Sequence, residues 1–78
     1  MTDHDTPTRL DARGLNCPLP ILKTRKAIAR LASGALLEVA ATDPGAVKDI
    51  DAFCRQTGHT LLASRAQDGE YLFTIRKA

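Results

Sequence analysis

The stretch GLNCPLPIL, residues Gly14–Leu22, places one cysteine directly before two prolines that flank a single residue. Neither proline has a backbone N–H to donate, and the first turn of a helix is where that loss does least harm. Apolar residues then recur at helical spacing, so the sequence predicts a helix from Pro18 to about Ala32. Ser33 and Gly34 end it, with the glycine as a natural C-terminal cap. The predicted apolar side carries Ile21, Ala27, Ile28, Leu31 and Ala32.

Cys17 is predicted to lie at the cap position of this helix, with its sulfur facing the positive end of the helix dipole. A thiol placed there ionises more readily than a free cysteine, whose pKa is about 8.5. Pro18 and Pro20 stiffen the segment and should hold the sulfur exposed in a defined place, and Gly14 and Asn16 break the chain before it. The stretch therefore predicts a reactive thiol. The competing interpretation is a small apolar residue in a loop.

The remaining chain predicts a second helix and four strands. Asp43 can cap the free N–H groups of that helix, Pro44 suits its first position, and Gly58 ends it. Asp68 and Gly69 form a strong hairpin signal between the last two strands. The predicted apolar side of the second helix carries Val47, Ile50, Phe53, Cys54 and Thr57. The predicted strands are Thr8–Ala12, Ala35–Ala41, His59–Ala66 and Tyr71–Lys77.

The element order β-α-β-α-β-β predicts an α/β (α+β) fold, a two-layer sandwich with a four-stranded mixed sheet. Right-handed crossovers place both helices on one face of that sheet if the sheet grows in one direction. A length of 78 residues indicates a single domain. We expect that domain to span residues 8–78, after a flexible tail at residues 1–7.

Composition and charge exclude several classes of function. A hydrophobic fraction of 44% argues against disorder, and a net charge of +2 is too small to imply nucleic-acid binding by itself. No apolar run follows a basic start and no stretch is long enough to span a membrane, so we expect a cytoplasmic protein with reduced thiols. Two histidines, His4 and His59, and two cysteines lack the spacing of a zinc site, and no metal is expected.

The second cysteine, Cys54, falls within the apolar period of the second helix, next to Phe53. This position predicts a core cysteine. There is no Cys-x-x-Cys pair, which argues against a self-contained dithiol centre. Cys54 could act as a resolving thiol only if the fold brought it within disulfide reach of Cys17.

Positive charge clusters on and before the helix that follows the cysteine. One interpretation is a solvated helix face. The other is a docking surface that guides an acidic partner protein or an RNA toward the sulfur. No aromatic residues alternate with these charges, so direct contact with nucleic acid is not expected. The candidate docking residues are Arg13, Lys23, Arg25, Lys26 and Arg30.

The run LDARGLNCPLPILKTRKAI, Leu10–Ile28, resembles the TusA (SirA-like) family of small sulfur-carrier proteins, through a Cys-Pro-x-Pro motif preceded by Leu-Asp-x-x-Gly-Leu. The similarity continues through DPGAVKDIDAFCRQTGH, Asp43–His59, and YLFTIRK, Tyr71–Lys77. The resemblance implies a β-α-β-α-β-β sandwich similar to the C-terminal domain of translation initiation factor three.

The same resemblance implies a sulfurtransferase that carries sulfane sulfur as a persulfide on Cys17, without another cofactor. A cysteine desulfurase would be the donor. A further protein would be the acceptor, in transfer-RNA 2-thiouridine formation, molybdenum-cofactor maturation or sulfur oxidation. Leu19 stands where the thiouridine-pathway representative carries an acidic residue, so the acceptor stays open. Because the family's carriers dock only transiently with their partners, we expect a monomer.

Two alternative functions remain. One is a thiol redox or sensor protein that uses Cys17 with Cys54, and the other is a small RNA-binding or regulatory module that uses the basic helix.

Overall fold

The computed structural model describes residues 6–78. The predicted tail at residues 1–7 lies outside the described residues except for its last two positions. Six elements follow one another in the predicted order β-α-β-α-β-β. They are β1 (Thr8–Ala12), α1 (Leu19–Ala29), β2 (Leu36–Ala41), α2 (Gly45–Thr57), β3 (Thr60–Gln67) and β4 (Glu70–Arg76).

The four strands form one mixed sheet in the order β1-β2-β4-β3. Strand β1 pairs parallel with β2, and β4 pairs antiparallel with both β2 and β3. Strands β2 and β3 therefore run in the same direction, and each helix forms the crossover between two parallel strands. The predicted sandwich with both helices on one sheet face is confirmed. The predicted hairpin turn is confirmed too, since Asp68 (φ 53°) and Gly69 (φ 79°) both have the positive φ that a tight type I′ turn requires.

The core lies between the two helices and the sheet face that they cover. Strand residues alternate, so that Val39 and Phe73, which face each other across β2 and β4, are buried on the helix side. Tyr71 and Ile75 lie on the same side of β4 as Phe73, as predicted. Each large apolar side chain buried here stabilises the fold by about 1.5–3 kcal/mol. The buried core residues are Ala12, Ile28, Leu37, Val39, Ala41, Ala46, Ile50, Phe53, Cys54, Phe73 and Ile75.

Helix α1 is shorter than predicted, ending at Ala29 rather than at about Ala32. The Lys77 ammonium donates to the carbonyl oxygens of Ala29 (3.3 Å) and Leu31 (2.5 Å), so carbonyls at the end of the helix gain partners from a residue after β4. Gly34, the predicted cap, donates its N–H instead to the carbonyl oxygen of Lys77 (2.8 Å). The prediction was wrong here because it considered only partners close in sequence.

The buried side of α1 also differs from its predicted apolar side. It is formed by Pro20, Thr24 and Ile28. The pattern of apolar residues misses Thr24, whose hydroxyl donates to the carbonyl oxygen of Pro20 (2.9 Å) and so can be buried with its polar atom satisfied. Ala32, which was predicted to be apolar and buried, lies beyond the helix and is exposed.

Helix α2 begins at Gly45, one residue later than predicted, and Pro44 is its cap residue. Asp43 still satisfies the first turn, because its Oδ1 accepts the N–H of Gly45 (3.2 Å). Gly58 ends the helix as predicted, with φ 85° and its N–H donated to the carbonyl oxygen of Cys54 (2.9 Å). On the apolar side, Val47 and Thr57 are exposed, and Ala46 is buried in their place.

His59 lies directly before β3 and contacts the ring of Phe53, with the ring centroids 5.4 Å apart. Its Nδ1 accepts the backbone N–H of Ala78 (3.0 Å). Burial, and secondarily the charge of Lys77, lowers the pKa of His59 below its ordinary value of 6.5. The folded state therefore favours neutral imidazole, which is the state that can accept this hydrogen bond.

We expect a pH-dependent stability from His59. Because its pKa is lower in the folded chain, the contribution is fully present above pH 6.5 and is lost as the pH falls through the folded value. Urea unfolding at pH 7.5 and pH 5 should show a larger drop in midpoint for the wild type than for His59→Gln. Equal drops in the two proteins would contradict this assignment.

Within residues 6–78, no helix has both the length and the apolar character needed to cross a membrane.

Candidate functional site

Cys17 lies in the loop between β1 and α1, with its side chain exposed. The N–H of Leu19 donates to the carbonyl oxygen of Asn16 (2.8 Å), which closes a turn that has Cys17 and Pro18 in its middle. The peptide bond between these two residues is cis. The cap residue of α1 is Pro18. The predicted cap position of Cys17 was therefore wrong by one residue, because the turn from Asn16 takes Cys17 out of the helix.

Two hydrogen bonds hold this loop against the loop between β2 and α2. The N–H of Gly14 donates to Oγ1 of Thr42 (2.9 Å), and the N–H of Cys17 donates to Oδ2 of Asp43 (2.5 Å). Gly14 has φ 79°, which a residue with a side chain rarely adopts, so this position before the thiol favours glycine. The other oxygen of the Asp43 carboxylate accepts the N–H of Gly45, so one side chain joins the thiol loop to the start of α2.

The Cys17 thiol donates a hydrogen bond to Asp49, with Sγ 3.0 Å from Oδ2. This hydrogen bond raises the pKa of the Cys17 thiol above its ordinary value, and desolvation and the charges of Asp49 and Asp43 act in the same direction. The predicted activation by the start of α1 is therefore wrong for the resting protein. A full negative charge at hydrogen-bond distance outweighs the roughly half charge of a helix terminus. This terminus also has fewer N–H donors than usual, because Pro18 and Pro20 lack a backbone N–H.

A shallow groove of about 240 Å³ lies beside Cys17, between α1 and α2. On one wall the guanidinium of Arg25 lies over the ring of Phe53, 5.1 Å from its centroid. This groove gives a second molecule a way to approach the sulfur. The residues that line it are Cys17, Pro18, Ile21, Arg25, Asp49, Ala52, Phe53 and Gln56.

The predicted docking residues do not lie together. Arg25 lines the thiol groove. Lys23 and Lys26 on α1 and Arg30 directly after it are exposed, and none of them forms an ion pair with another residue in the range 6–78. Arg13, by contrast, is paired with Asp11 (2.9 Å) and Glu70 (3.3 Å).

Those ion pairs place Arg13 in a concavity of about 390 Å³ whose other lining residues include Arg9, Glu38 and Thr74. Strand alternation puts these side chains on the sheet face that the helices leave open. The structure therefore separates Arg13 from the other four candidates. Two leucines of α1, the helix that begins two residues after Cys17, are also exposed: Leu19 (48% exposed) and Leu22 (47% exposed).

Cys54 is buried, with only 3% of its surface exposed, and packs in the core as predicted. Burial raises the pKa of its thiol. Within residues 6–78, no cluster of three or more His, Cys, Asp or Glu side chains could hold a metal ion.

Sequence reasoning missed Asp49 and gave Asp43 only the role of a helix cap. One signal could have found Asp43: β1 and β2 are parallel, and the segments that follow two parallel neighbouring strands meet at the same edge of the sheet. Asp49 has no comparable signal, since it stands 32 positions after Cys17 and reaches the thiol only through the packing of α2 on α1.

Comparison with known proteins bears on this site directly. The family model for Sulfurtransferase TusA matches residues 8–77, which include every described strand and helix and Cys17 itself. The chain belongs to the TusA sulfurtransferase family. Sulfur transfer is the general role that this membership gives it. Sulfur carrier protein TusA of Allochromatium vinosum is 51% identical over 78 residues, covering 100% of both chains. Sulfur carrier protein TusA of Pseudomonas putida strain W619 is 47% identical over 77 residues, covering 99% of this chain and 96% of the relative.

The fold of the TusA family is also found in a solved structure. A SirA-like protein from Desulfitobacterium hafniense superimposes with a TM-score of 0.79 at 24% sequence identity, over 87% of this chain and 93% of that one. At this identity the similarity concerns the fold alone. It agrees with the four-stranded sheet and two helices described above.

Proposed function

We propose that this protein is a sulfur carrier that accepts sulfane sulfur from a cysteine desulfurase as a persulfide on Cys17 and passes it to an acceptor protein. The observation that carries the proposal is the position of Cys17 in a chain of the TusA family. Its sulfur is exposed, it lies in a turn with Pro18 that leads directly into α1, and it borders an open groove that a partner can enter.

The chemistry is an exchange between sulfur atoms. The Cys17 thiolate attacks the outer sulfur of the donor persulfide, the donor's sulfur–sulfur bond breaks, and the donor cysteine leaves as a thiolate. A thiol of the acceptor then attacks the outer sulfur on Cys17, and the Cys17 sulfur is the leaving group. Neither step changes the number of persulfides, so no oxidant or reductant is consumed. The covalent persulfide is the only group that this reaction requires Cys17 to carry.

Intact-mass spectrometry without reductant tests the proposal. The protein is incubated with an active cysteine desulfurase and free cysteine, and in parallel without the desulfurase. We expect a gain of one sulfur atom that depends on the desulfurase, disappears after reduction, and maps to the peptide containing Cys17. No gain, with the same desulfurase active toward another acceptor, would contradict the carrier role.

The exposed face of α1 supports a docking function for this helix in the same reaction. Leu19 and Leu22 provide an apolar contact surface, and Lys23, Lys26 and Arg30 add three positive charges beside it. Such a surface fits a donor that presents an acidic rim around an apolar contact, because complementary charges steer association. Docking there brings a partner to the groove at Cys17.

Reversing Lys23, Lys26 and Arg30 together to glutamate should slow sulfur transfer from the desulfurase about tenfold or more at low salt, because steering is lost. The difference should shrink as salt rises toward about 0.5 M, where charges are screened over a few Å. Initial loading rates measured by mass spectrometry at several salt concentrations check this. A double reversal of Arg65 and Arg76, which are exposed and lie on the sheet, is the control and should transfer at the wild-type rate. Equal slowing in both variants would reject docking through α1.

The thiol redox alternative receives less support. It needs Cys54 as a resolving thiol, and Cys54 is packed in the core with its thiol pKa raised by burial. Mild oxidation followed by mass mapping would reveal a Cys17–Cys54 disulfide if this alternative held.

A further inference from the structure

Among residues 6–78, the Asp49 carboxylate has no cationic partner, unlike the carboxylates of Asp51 and Asp11. Asp51, on the same helix, is paired with Arg55, and Asp11, before the thiol loop, is paired with Arg13. Within residues 6–78, no lysine, arginine or histidine forms an ion pair with Asp49, whose Oδ2 accepts the hydrogen bond of the Cys17 thiol (3.0 Å). No ion pair from these residues therefore offsets the charge of Asp49, which lies at hydrogen-bond distance from the sulfur.

Two other charged groups face the same thiol. Asp43 lies on the loop before α2, and its carboxylate accepts the N–H of Cys17 itself. Arg25 lies on α1 and lines the groove, but its guanidinium is placed over the ring of Phe53. Two carboxylates therefore lie near the sulfur, and that of Asp49 is hydrogen-bonded to it. The only cation among the residues that line the groove is Arg25, which lies against the ring of Phe53.

We propose that Asp49 is a positioning residue for sulfur transfer, whose carboxylate holds the empty Cys17 thiol in its protonated form and disfavours the anion of the loaded persulfide. The proposal rests on the carrier role of Cys17. A thiol can donate a hydrogen bond to Asp49, and an anion cannot. A persulfide is more acidic than the thiol from which it forms, so the loaded cysteine carries negative charge at a pH where the empty one does not. Asp49 therefore stabilises the empty thiol through a hydrogen bond and destabilises the loaded persulfide anion through charge repulsion.

The proton balance follows the existing hydrogen bond. On loading, Sγ of Cys17 attacks the outer sulfur of the donor persulfide, the donor's sulfur–sulfur bond breaks, and the Cys17 proton passes through Oδ2 of Asp49 to the departing donor thiolate. Asp49 is then again a carboxylate beside the loaded cysteine. On delivery, the acceptor thiol gives up its proton and attacks the outer sulfur as a thiolate, and the sulfur–sulfur bond on Cys17 breaks. Sγ takes up the released proton and again donates a hydrogen bond to Asp49. The net effect of the carboxylate is an equilibrium shifted toward the empty carrier, which suits a protein that must give sulfur away.

The first test measures the protonation of Cys17 without any sulfur transfer. The rate of alkylation of Cys17 by the neutral reagent iodoacetamide is followed against pH by peptide mass mapping. Asp49→Asn keeps the shape of the side chain and an acceptor oxygen but removes the charge. We expect its half-titration point to fall by about one pH unit below that of the wild type. Asp51→Asn, which removes the same charge from the same helix, is the matched control and should follow the wild-type profile.

The second test measures the loaded state. Wild type, Asp49→Asn and Asp51→Asn are loaded with inorganic polysulfide and then challenged with a fixed, limiting amount of glutathione, and the fraction still carrying sulfur is read by intact mass. We expect Asp49→Asn to retain about threefold more sulfur than the other two, in line with a shift of a fraction of a pKa unit between the states. Superimposable alkylation profiles, or equal retention in all three proteins, would overturn the proposal.

The two tests separate this inference from the carrier role itself. A wild-type protein that cannot be loaded on Cys17 by polysulfide or desulfurase contradicts the carrier role. A protein that loads normally, but whose alkylation profile does not respond to Asp49→Asn, keeps the carrier role and rejects the part assigned to Asp49.

Discussion

We expect Cys17→Ser to be unable to hold sulfur: after incubation with a cysteine desulfurase and free cysteine, this variant should show no mass gain. The loss is complete because a hydroxyl does not form a stable bond to sulfane sulfur by thiolate exchange. The remaining cysteine does not substitute, since Cys54 is only 3% exposed and a donor protein cannot reach it without opening the core.

Cys54→Ala provides the matched control, because it removes the other thiol and leaves Cys17 in place. We expect it to load to the wild-type level, with a somewhat lower stability from the small cavity in the core. Circular dichroism verifies that both variants are folded under the assay conditions. Loading that persists in Cys17→Ser, or that disappears in Cys54→Ala while the protein stays folded, would reject Cys17 as the sulfur-bearing residue.

The largest expected effect on stability comes from the centre of the sheet. Phe73 is 1% exposed on β4, between β2 and β3 in the sheet. Phe73→Ala removes a large buried side chain and should cost about 3–5 kcal/mol of the free energy of unfolding. A chain of 78 residues is expected to have roughly 4–12 kcal/mol in total, so the variant should be close to unfolded at 37 °C. Urea unfolding followed by circular dichroism at 25 °C measures the difference.

Leu72→Ala is the control for this substitution. Leu72 is the neighbouring residue on the same strand, but its side chain lies on the open face of the sheet and is only half-buried. Truncation there should cost about 1 kcal/mol, because little apolar surface is lost from the core. Equal losses from the two substitutions would mean that the open face contributes as much to stability as the core does.

The fold could be predicted largely from local signals. Alternation around Phe73, the turn at Asp68 and Gly69, and the stop at Gly58 each depend on residues within a few positions of one another. The errors come from partners distant in sequence. Helix α1 ends early because Lys77 supplies donors to its last carbonyls, and no pattern within the helix contains that information.

The candidate site divides in the same way. The motif itself identified Cys17 and the prolines, and the structure finds the thiol exposed as that pattern predicted. The pKa of Cys17 was predicted to be lowered, and it is raised. A helix terminus can be predicted from the sequence, whereas the approach of Asp49 to the thiol cannot. The predicted docking set failed in part for the same reason: Arg13 is occupied by Asp11 and Glu70, and Glu70 lies 57 positions away.

The place of β4 in the sheet has a consequence for how the chain folds during its synthesis. Strand β4 is the last of the six elements to be made, yet it lies between β2 and β3, which do not pair with each other. Until residues 70–76 have left the ribosome, β3 has no partner strand, and the edge of β2 opposite β1 is unpaired. The chain must therefore complete most of its folding after translation of these residues. Until then, β2 and β3 expose unpaired strand edges, which are the kind of surface that molecular chaperones protect.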